Sequence, residues 1–329
     1  MASQSRAKNS EYRFEPEQLQ LLIDVLREQG YEVVGPTVRD GVIVYDELNR
    51  VQELPIGLKD EQDRGSYRLT ERQDGAYFGY VVGPQSWKKY LFPPQLKLWE
   101  ARRNGKGFEQ NGAIPKPKKL AFFGVRGCEL EAIHIQDRVF VQGDYIDPYY
   151  AAQRKKIFIV AVHCTEPGAN CFCASVDSGP KAGSGYDLAL TEVLQENEHY
   201  FVLQVGSRKG QKVLEKIPHR PASQEEKVAA AKAVAAASTQ MKKKLHTENL
   251  KDVLYNSYEH KEWEVVARRC LTCGNCTMVC PTCFCSTVED VTDLSGEVAV
   301  RIRRWDSCFA AEHSYIHGGS VRSTPMSRY

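Results

Sequence analysis

Several things that would classify this chain at once are missing from it. No stretch approaches the roughly eighteen consecutive apolar residues of a membrane span, and the opening MASQSRAKNSEYRFEP has no apolar export segment. A formal charge of +2 over 329 residues gives no reason to expect nucleic acid or an anionic membrane as a partner. No G-x-G-x-x-G follows a strand-like run, so a nucleotide site of the chain's own is unsupported. No Ser/His/Asp or paired-carboxylate constellation stands out, which argues against catalysis by this chain alone. The expectation is a soluble, cytoplasmic protein, long enough for two domains and a sizeable core.

Cysteine is also absent, but only before Cys128. The chain has eleven cysteines, four between Cys128 and Cys173 and seven between Cys270 and Cys308. In an unexported chain that clustering argues for two metal-bearing regions rather than structural disulfides. The strongest local signal is C-L-T-C-G-N-C-T-M-V-C-P, with Cys270, Cys273, Cys276 and Cys280 followed by Pro281. This is the C-x2-C-x2-C-x3-C-P spacing by which bacterial ferredoxins hold iron–sulfur clusters. Three thiolates on one tight loop reach three corners of a cubane, and in two-cluster ferredoxins the fourth ligates the other cluster. Gly274 lets the loop backbone pass close to inorganic sulfide. Zinc is the main rival, but zinc modules usually separate their C-x2-C pairs by a dozen or more residues.

The pattern upstream is α/β. Residues 1–13 read as a loose polar tail, and Glu15–Gly30 as a helix with Leu19, Leu22, Ile23, Val25 and Leu26 along one face. Strand-like pieces follow at Glu32–Val34, Val42–Tyr45 and Ala76–Val82, and the aromatic stretch Gly83–Trp99 reads as core packing. Leu120–Val125, Leu130–Phe140 and Lys156–Val162 form a β-α-β pattern with continuous apolar strands, which suggests a parallel pair covered on both faces. Asp187–Val193 reads as a helix and Tyr200–Val205 as a strand. Ser223 and Glu226 form a capping box opening a helix to about Leu245, and a second helix over Leu250–Arg269 delivers the chain to Cys270. The expected organisation is an α/β domain with a mostly parallel central sheet over 1–222, a helical connector over 223–262, and a ferredoxin-like iron–sulfur module over 263–329.

That topology suggests a second site. Cys128 follows one strand of the β-α-β unit, and Cys164, Cys171 and Cys173 lie in the loop after the next. Loops at the carboxyl ends of adjacent parallel strands converge, so four thiols can meet at one point and saturate a cubane. Gly168, Gly179, Gly183 and Gly185 keep those loops compact and admit backbone N–H groups to the sulfides. The plainer alternative is that Cys128 and Cys164 are buried core thiols, although Cys171 and Cys173 on a Gly/Pro-rich loop fit it poorly. Cys283, Cys285 and Cys308 either complete clusters or sit beside them. Arg301, Arg303 and Arg304 either offset the negative charge of a thiolate-bound cluster or form a solvated strand face, the more ordinary reading. His313 and His317 read as a surface pair.

Together, C-L-T-C-G-N-C-T-M-V-C-P-T-C-F-C, the Asp290/Asp293 stretch, R-R-W-D-S-C-F and I-H-G-G-S-V-R resemble the 4Fe–4S dicluster domain. That domain occurs in the β subunit of cytoplasmic sulfhydrogenase-type nickel–iron hydrogenases and in the corresponding subunit of anaerobic sulfite reductase. G-V-R-G-C-E-L-E-A-I, D-P-Y-Y, C-F-C-A-S-V-D-S-G-P and G-Y-D-L-A-L-T-E are similar to the same family, so the resemblance covers most of the chain. It implies two or more [4Fe–4S] clusters and a relay role, with a flavin/NAD(P)H-binding subunit on one side and a catalytic subunit on the other. The family carries a second C-x2-C-x2-C-x3-C-P run that is not found before Tyr329. The expectation is therefore a truncated module, or one in which Cys283, Cys285 or Cys308 substitutes. Two other functions stay open: a reductase with a substrate-binding open cluster, and a zinc-binding interaction module. Arg268-Arg269-Cys270-Leu271-Thr272-Cys273 lacks the partner motif of a nickel site.

Overall fold

The computed structural model describes residues 10–63, 65–105, 107–112, 115–195 and 198–329. It begins with strand β1 (Glu11–Phe14), helix α1 (Gln18–Glu28) and strands β2 (Glu32–Arg39) and β3 (Val42–Glu47). All five expected apolar positions of α1 are buried. The expected loose tail is a strand from Glu11 onward: Glu11 pairs with Gln204 and Phe14 with Phe201, and Phe14 is fully buried. Residues 1–9 of that tail lie outside the described residues.

A hairpin of β4 (Leu58–Asp63) and β5 (Ser66–Glu71) precedes residues 76–82, which are not the expected strand. Ala76, Phe78 and Tyr80 are buried there. Amides of this segment, however, bond to carboxylates instead of a neighbouring strand. Glu192 accepts from the N–H of Tyr77 (2.7 Å) and of Phe78 (2.9 Å), and Asp60 accepts from that of Val81. Helix α2 (Lys88–Leu91) and strands β6 (Gln95–Arg103) and β7 (Phe108–Gly112) follow. The aromatic stretch packs as core: Trp87 and Phe92 are buried, and Trp87 stacks on Tyr45 (3.9 Å) and Phe122 (4.6 Å).

The centre comprises β8 (Leu120–Arg126), α3 (Gly127–Val141), α4 (Pro148–Lys155), β9 (Phe158–His163), β10 (Leu188–Gln195), β11 (Glu198–Val205), α5 (Arg208–Leu214) and β12 (Arg220–Pro221). The β-α-β unit forms as expected, with β8 and β9 parallel and every residue of both buried. The large sheet runs β12-β1-β11-β10-β9-β8-β2-β3. Its four middle strands, β10, β9, β8 and β2, are parallel neighbours, but the flanking pairs are antiparallel, so the sheet is mixed rather than mostly parallel. The departure begins at β10, which occupies residues expected to be helical. Leu188 and Leu190 face one core and Ala189 the other, a period of two, and pairing between β9 and β11 overrides the helix propensity of Leu, Ala and Glu. Residues of α1 and α5 cover one face of the sheet, and residues of α2, α3 and α4 the other.

Helix α6 (Gln224–Gln240) opens on the expected capping box. Ser223 Oγ accepts from the Glu226 N–H (3.2 Å), and the Glu226 carboxylate from the Ser223 N–H (2.7 Å). It ends short of Leu245 and buries Ala230, Val234 and Ala237. The long helix expected next is two, α7 (Leu250–Tyr255) and α8 (Lys261–Arg269), separated by a turn in which Ser257 O accepts from Trp263 Nε1 (2.6 Å). Then come α9 (Asn275–Val279), β13 (Ser286–Thr292) and β14 (Val298–Trp305). A second sheet, β13-β14-β6-β7, joins strands of the cysteine-rich C-terminus to strands from residues 95–112.

Candidate metal centres

Cys128 lies in the first turn of α3, directly after β8, and Cys164 directly after β9. The loop over 178–181 laces the site together. Cys164 N–H donates to Pro180 O (3.0 Å) and Ser178 N–H to Cys173 O (3.1 Å). Gly179 is needed there, because a Cβ would come within 2.9 Å of Cys173 Sγ; Gly183, by contrast, faces open space. All four expected thiols act on one another. Burial raises Cys128 well above its ordinary value, and the negative charges of Glu129, Cys164, Cys173 and Cys171 add to it. Burial and then Cys164 and Cys171 push Cys173 up to about 11, and burial also raises Cys171. Cys128 still presents surface to solvent. An exposed residue does not fill a core, which disfavours the core-thiol alternative for Cys128.

Arg126 is the residue that the sequence reading overlooks here. Its guanidinium is buried and donates through Nη2 to Phe78 O (2.9 Å) and Tyr80 O (3.0 Å), while Nη1 lies 3.7 Å from Cys164 Sγ. Burial works against its charge, and Cys164, Tyr80 and Glu129 outweigh it. The G-V-R-G-C motif did contain this signal.

In the C-terminal module, Gly274 adopts φ 69° at the start of α9, and a Cβ there would meet Ser307 Cβ at 3.0 Å. Ser307 Oγ accepts from Thr277 Oγ1 (2.8 Å) and from the Phe309 N–H (3.1 Å), tying R-R-W-D-S-C-F to the cysteine loop. Cys270, Cys273 and Cys276 form one neighbourhood: all three act on Tyr329, whose phenol is pushed up to about 12, chiefly by its hydrogen bond to Cys270. Cys280, Cys283 and Cys285 form another. Burial alone would raise Cys280, but hydrogen bonds from the Thr282 side chain and backbone and from Cys283 bring it below its ordinary value. Cys283 beside it is pushed up to about 12 by partial burial and then by its hydrogen bond to Cys280. Cys308 is raised by burial and then by Cys285 and Cys276, so it stands beside both groups.

Of the arginines of β14, Arg301 and Arg304 lie on a solvated face, Arg303 is enclosed, and all three pair with carboxylates. Arg301 pairs with Asp290 (2.6 Å), Arg304 with Glu289 (3.4 Å) and Arg303 with Asp147. Lys88, which nothing in its local sequence marks out, has no carboxylate within ion-pairing distance among the described residues. It is 4% exposed, donates to Thr277 O (3.2 Å) and lies 4.0 Å over the Trp305 ring. Burial lowers its pKa, and Cys283, Cys280 and Cys285 counter that.

Helix α3 spans the two sites. Cys128 is in its first turn, and Gln136 Nε2 donates to Pro281 O (2.9 Å), next to Cys280. Phe140 meets Phe284 edge-on at 6.0 Å, and Trp305 Nε1 donates to Phe92 O (3.0 Å). From Cys128 to Gln136 the helix rises ~12 Å at about 1.5 Å per residue.

Among the described residues, no three His, Cys, Asp or Glu side chains converge tightly enough to hold a single metal ion. The Cβ-free approach at Gly179 and two buried cations near the cysteines, Arg126 and Lys88, fit an anionic group bound through thiolates.

Comparison with known proteins agrees. Residues 269–329 match the family model of the 4Fe-4S dicluster domain, so the protein is an iron–sulfur protein with [4Fe–4S] clusters as its cofactors. Over 312 residues, 92% of this chain and 81% of the relative, it is 30% identical to sulfhydrogenase 2 subunit beta of Pyrococcus furiosus. The chain belongs to that 4Fe–4S dicluster subunit family. Among the described residues no helix is long and apolar enough to cross a membrane.

Proposed function

We propose that this protein is an electron-relay subunit with three thiolate sites: Cys128, Cys164, Cys171 and Cys173; Cys270, Cys273 and Cys276; and Cys280, Cys283 and Cys285, with Cys308 completing one of the last two. Bound there, iron–sulfur cubanes supply one-electron chemistry, at roughly −400 mV if they are of the low-potential ferredoxin class. The observation that carries the reading is α3, which begins at one cysteine group and hydrogen-bonds to the loop of another about two turns later. The residues hold, space and electrostatically balance the sites; hydrogen or sulfite chemistry belongs to a partner. There are two partners, a catalytic subunit, and opposite it a flavin/NAD(P)H-binding subunit. The relative's name favours a hydrogenase setting over a sulfite reductase one. The proposed division is 1–222, 223–262 and 263–329, with β6 and β7 of the first part in one sheet with β13 and β14 of the last.

Anaerobic purification with iron and acid-labile sulfide counts tests this, with EPR before and after dithionite. About twelve irons per chain are expected, at four per cubane, and Cys128→Ser should remove about four of them. About four irons in the unmodified chain would remove the N-terminal site, and a colourless zinc protein would overturn the relay altogether.

A further inference from the structure

We propose that Lys88, carried by the N-terminal region, is the resident counter-cation of the Cys280/Cys283/Cys285 group and raises the reduction potential of the cluster held there. The inference rests on the relay reading above. The ammonium is buried, and one of its three N–H groups is taken by Thr277 O, a carbonyl between Cys276 and Cys280. The Trp305 ring lies 4.0 Å beneath it. That ring offers a favourable quadrupole but no countercharge. No carboxylate lies within ion-pairing distance of Lys88 among the described residues, whereas Arg303, the other enclosed cation on this side, has Asp147.

A buried, unpaired ammonium is unfavourable unless something anionic faces it. The groups that support its charge are Cys283, Cys280 and Cys285. A thiolate-bound cluster is anionic, and reduction adds one electron to it. A fixed positive charge nearby therefore favours the reduced form over the oxidised form and lifts the potential. Trp87, the residue before Lys88, is locked in the stack on Tyr45 and Phe122, so the cation's position is set by the core of the large sheet. The potential of a site in one region is thus set by a residue of the other.

The test uses the full-length, iron-loaded protein with Lys88→Met, which keeps an unbranched apolar stem, and Lys88→Arg, which keeps the charge. Iron counts and EPR-monitored redox titrations are compared with the unmodified chain, and Cys283→Ser identifies the signal of the affected group. The expected result is an unchanged iron count in both variants. One midpoint potential, that of the signal lost in Cys283→Ser, moves lower in Lys88→Met and returns towards the original in Lys88→Arg. Loss of about four irons in Lys88→Met but not in Lys88→Arg would show the same need for charge. Unchanged potentials, or equal shifts in both variants, would reduce Lys88 to a packing residue. Absence of cluster signals from the unmodified chain would instead defeat the relay reading on which the proposal stands.

Discussion

In β8 and β9 every side chain is buried, whereas from residue 251 onward Gly274 and Ser307 are the buried positions among the described residues. Both regions carry clustered cysteines, yet they hold them by opposite means. Cys128 and Cys164 are appended to the ends of strands whose packing owes nothing to metal. The Cys270–Cys308 stretch has almost no apolar interior, and thiolate-bound clusters must take the place of a core, as in small metal-folded domains. In the proposed relay the same ligand chemistry is thus an attachment in one region and the substitute for a core in the other.

Stripping the iron would break that comparison most visibly. With chelator and oxidant, amides of residues 270–285 and 306–329 should lose their hydrogen-exchange protection entirely, while those of β8, β9 and β10 keep theirs. Equal loss in both regions would mean that the large sheet also depends on its cluster.

The converse comes from the sheet. Phe122 is fully buried and stacked on Trp87. Phe122→Ala should cost about 3–5 kcal/mol of N-terminal stability, seen as a lower urea midpoint. The iron bound by Cys270, Cys273 and Cys276 should be retained. If that iron is lost as well, the two regions are one cooperative unit.

Between them sits the Arg303–Asp147 pair, both side chains largely enclosed. Asp147 also caps α4 by accepting from the Tyr150 N–H (2.7 Å). Asp147→Asn keeps a capping group but strands the guanidinium, at about 2–3 kcal/mol. Because Arg303 is on β14, the loss should appear as freer exchange in β13 and β14 before any change in β8; the reverse order would place the pair's role in the large sheet.

The sequence was most legible where one residue type repeats at chemical spacing or helical period. The five buried positions of α1 and the Ser223/Glu226 cap formed as read. It was least legible where long-range pairing decided the outcome. Leu188–Gln195 is rich in helix formers yet lies between two strands, and residues 76–82 read as a strand but give the amides of Tyr77, Phe78 and Val81 to Glu192 and Asp60. The same limit hid the site's electrostatics. Arg301, Arg303 and Arg304 stand near the motif but are neutralised by carboxylates, while Lys88, nearly two hundred residues from Cys280, is not. Charge near a cluster is a property of the fold, and proximity in sequence misreports it.

Acid gives the finest discrimination. Glu226 accepts from the Arg220 guanidinium, from Arg13 (2.8 Å) and from the Ser223 N–H, and these, Arg220 first, hold its carboxyl at about 2 against the opposing effect of burial. A folded-state value below the ordinary 4.5 means that the proton binds more tightly to the unfolded chain. The contribution is therefore fully present above about pH 4.5 and lost as pH falls towards 2. Arg220 is half exposed, so solvent screening limits the loss to about 1–2 kcal/mol. Urea midpoints of the N-terminal region should decline over that window, and Glu226→Gln should flatten the decline while lowering stability at neutral pH. The ion pair Arg301–Asp290 on β14 is exposed on both sides, so Asp290→Asn should leave the acid profile unchanged. A profile that flattens with Asp290→Asn instead would place acid sensitivity in the cysteine-rich module and reverse the assignment.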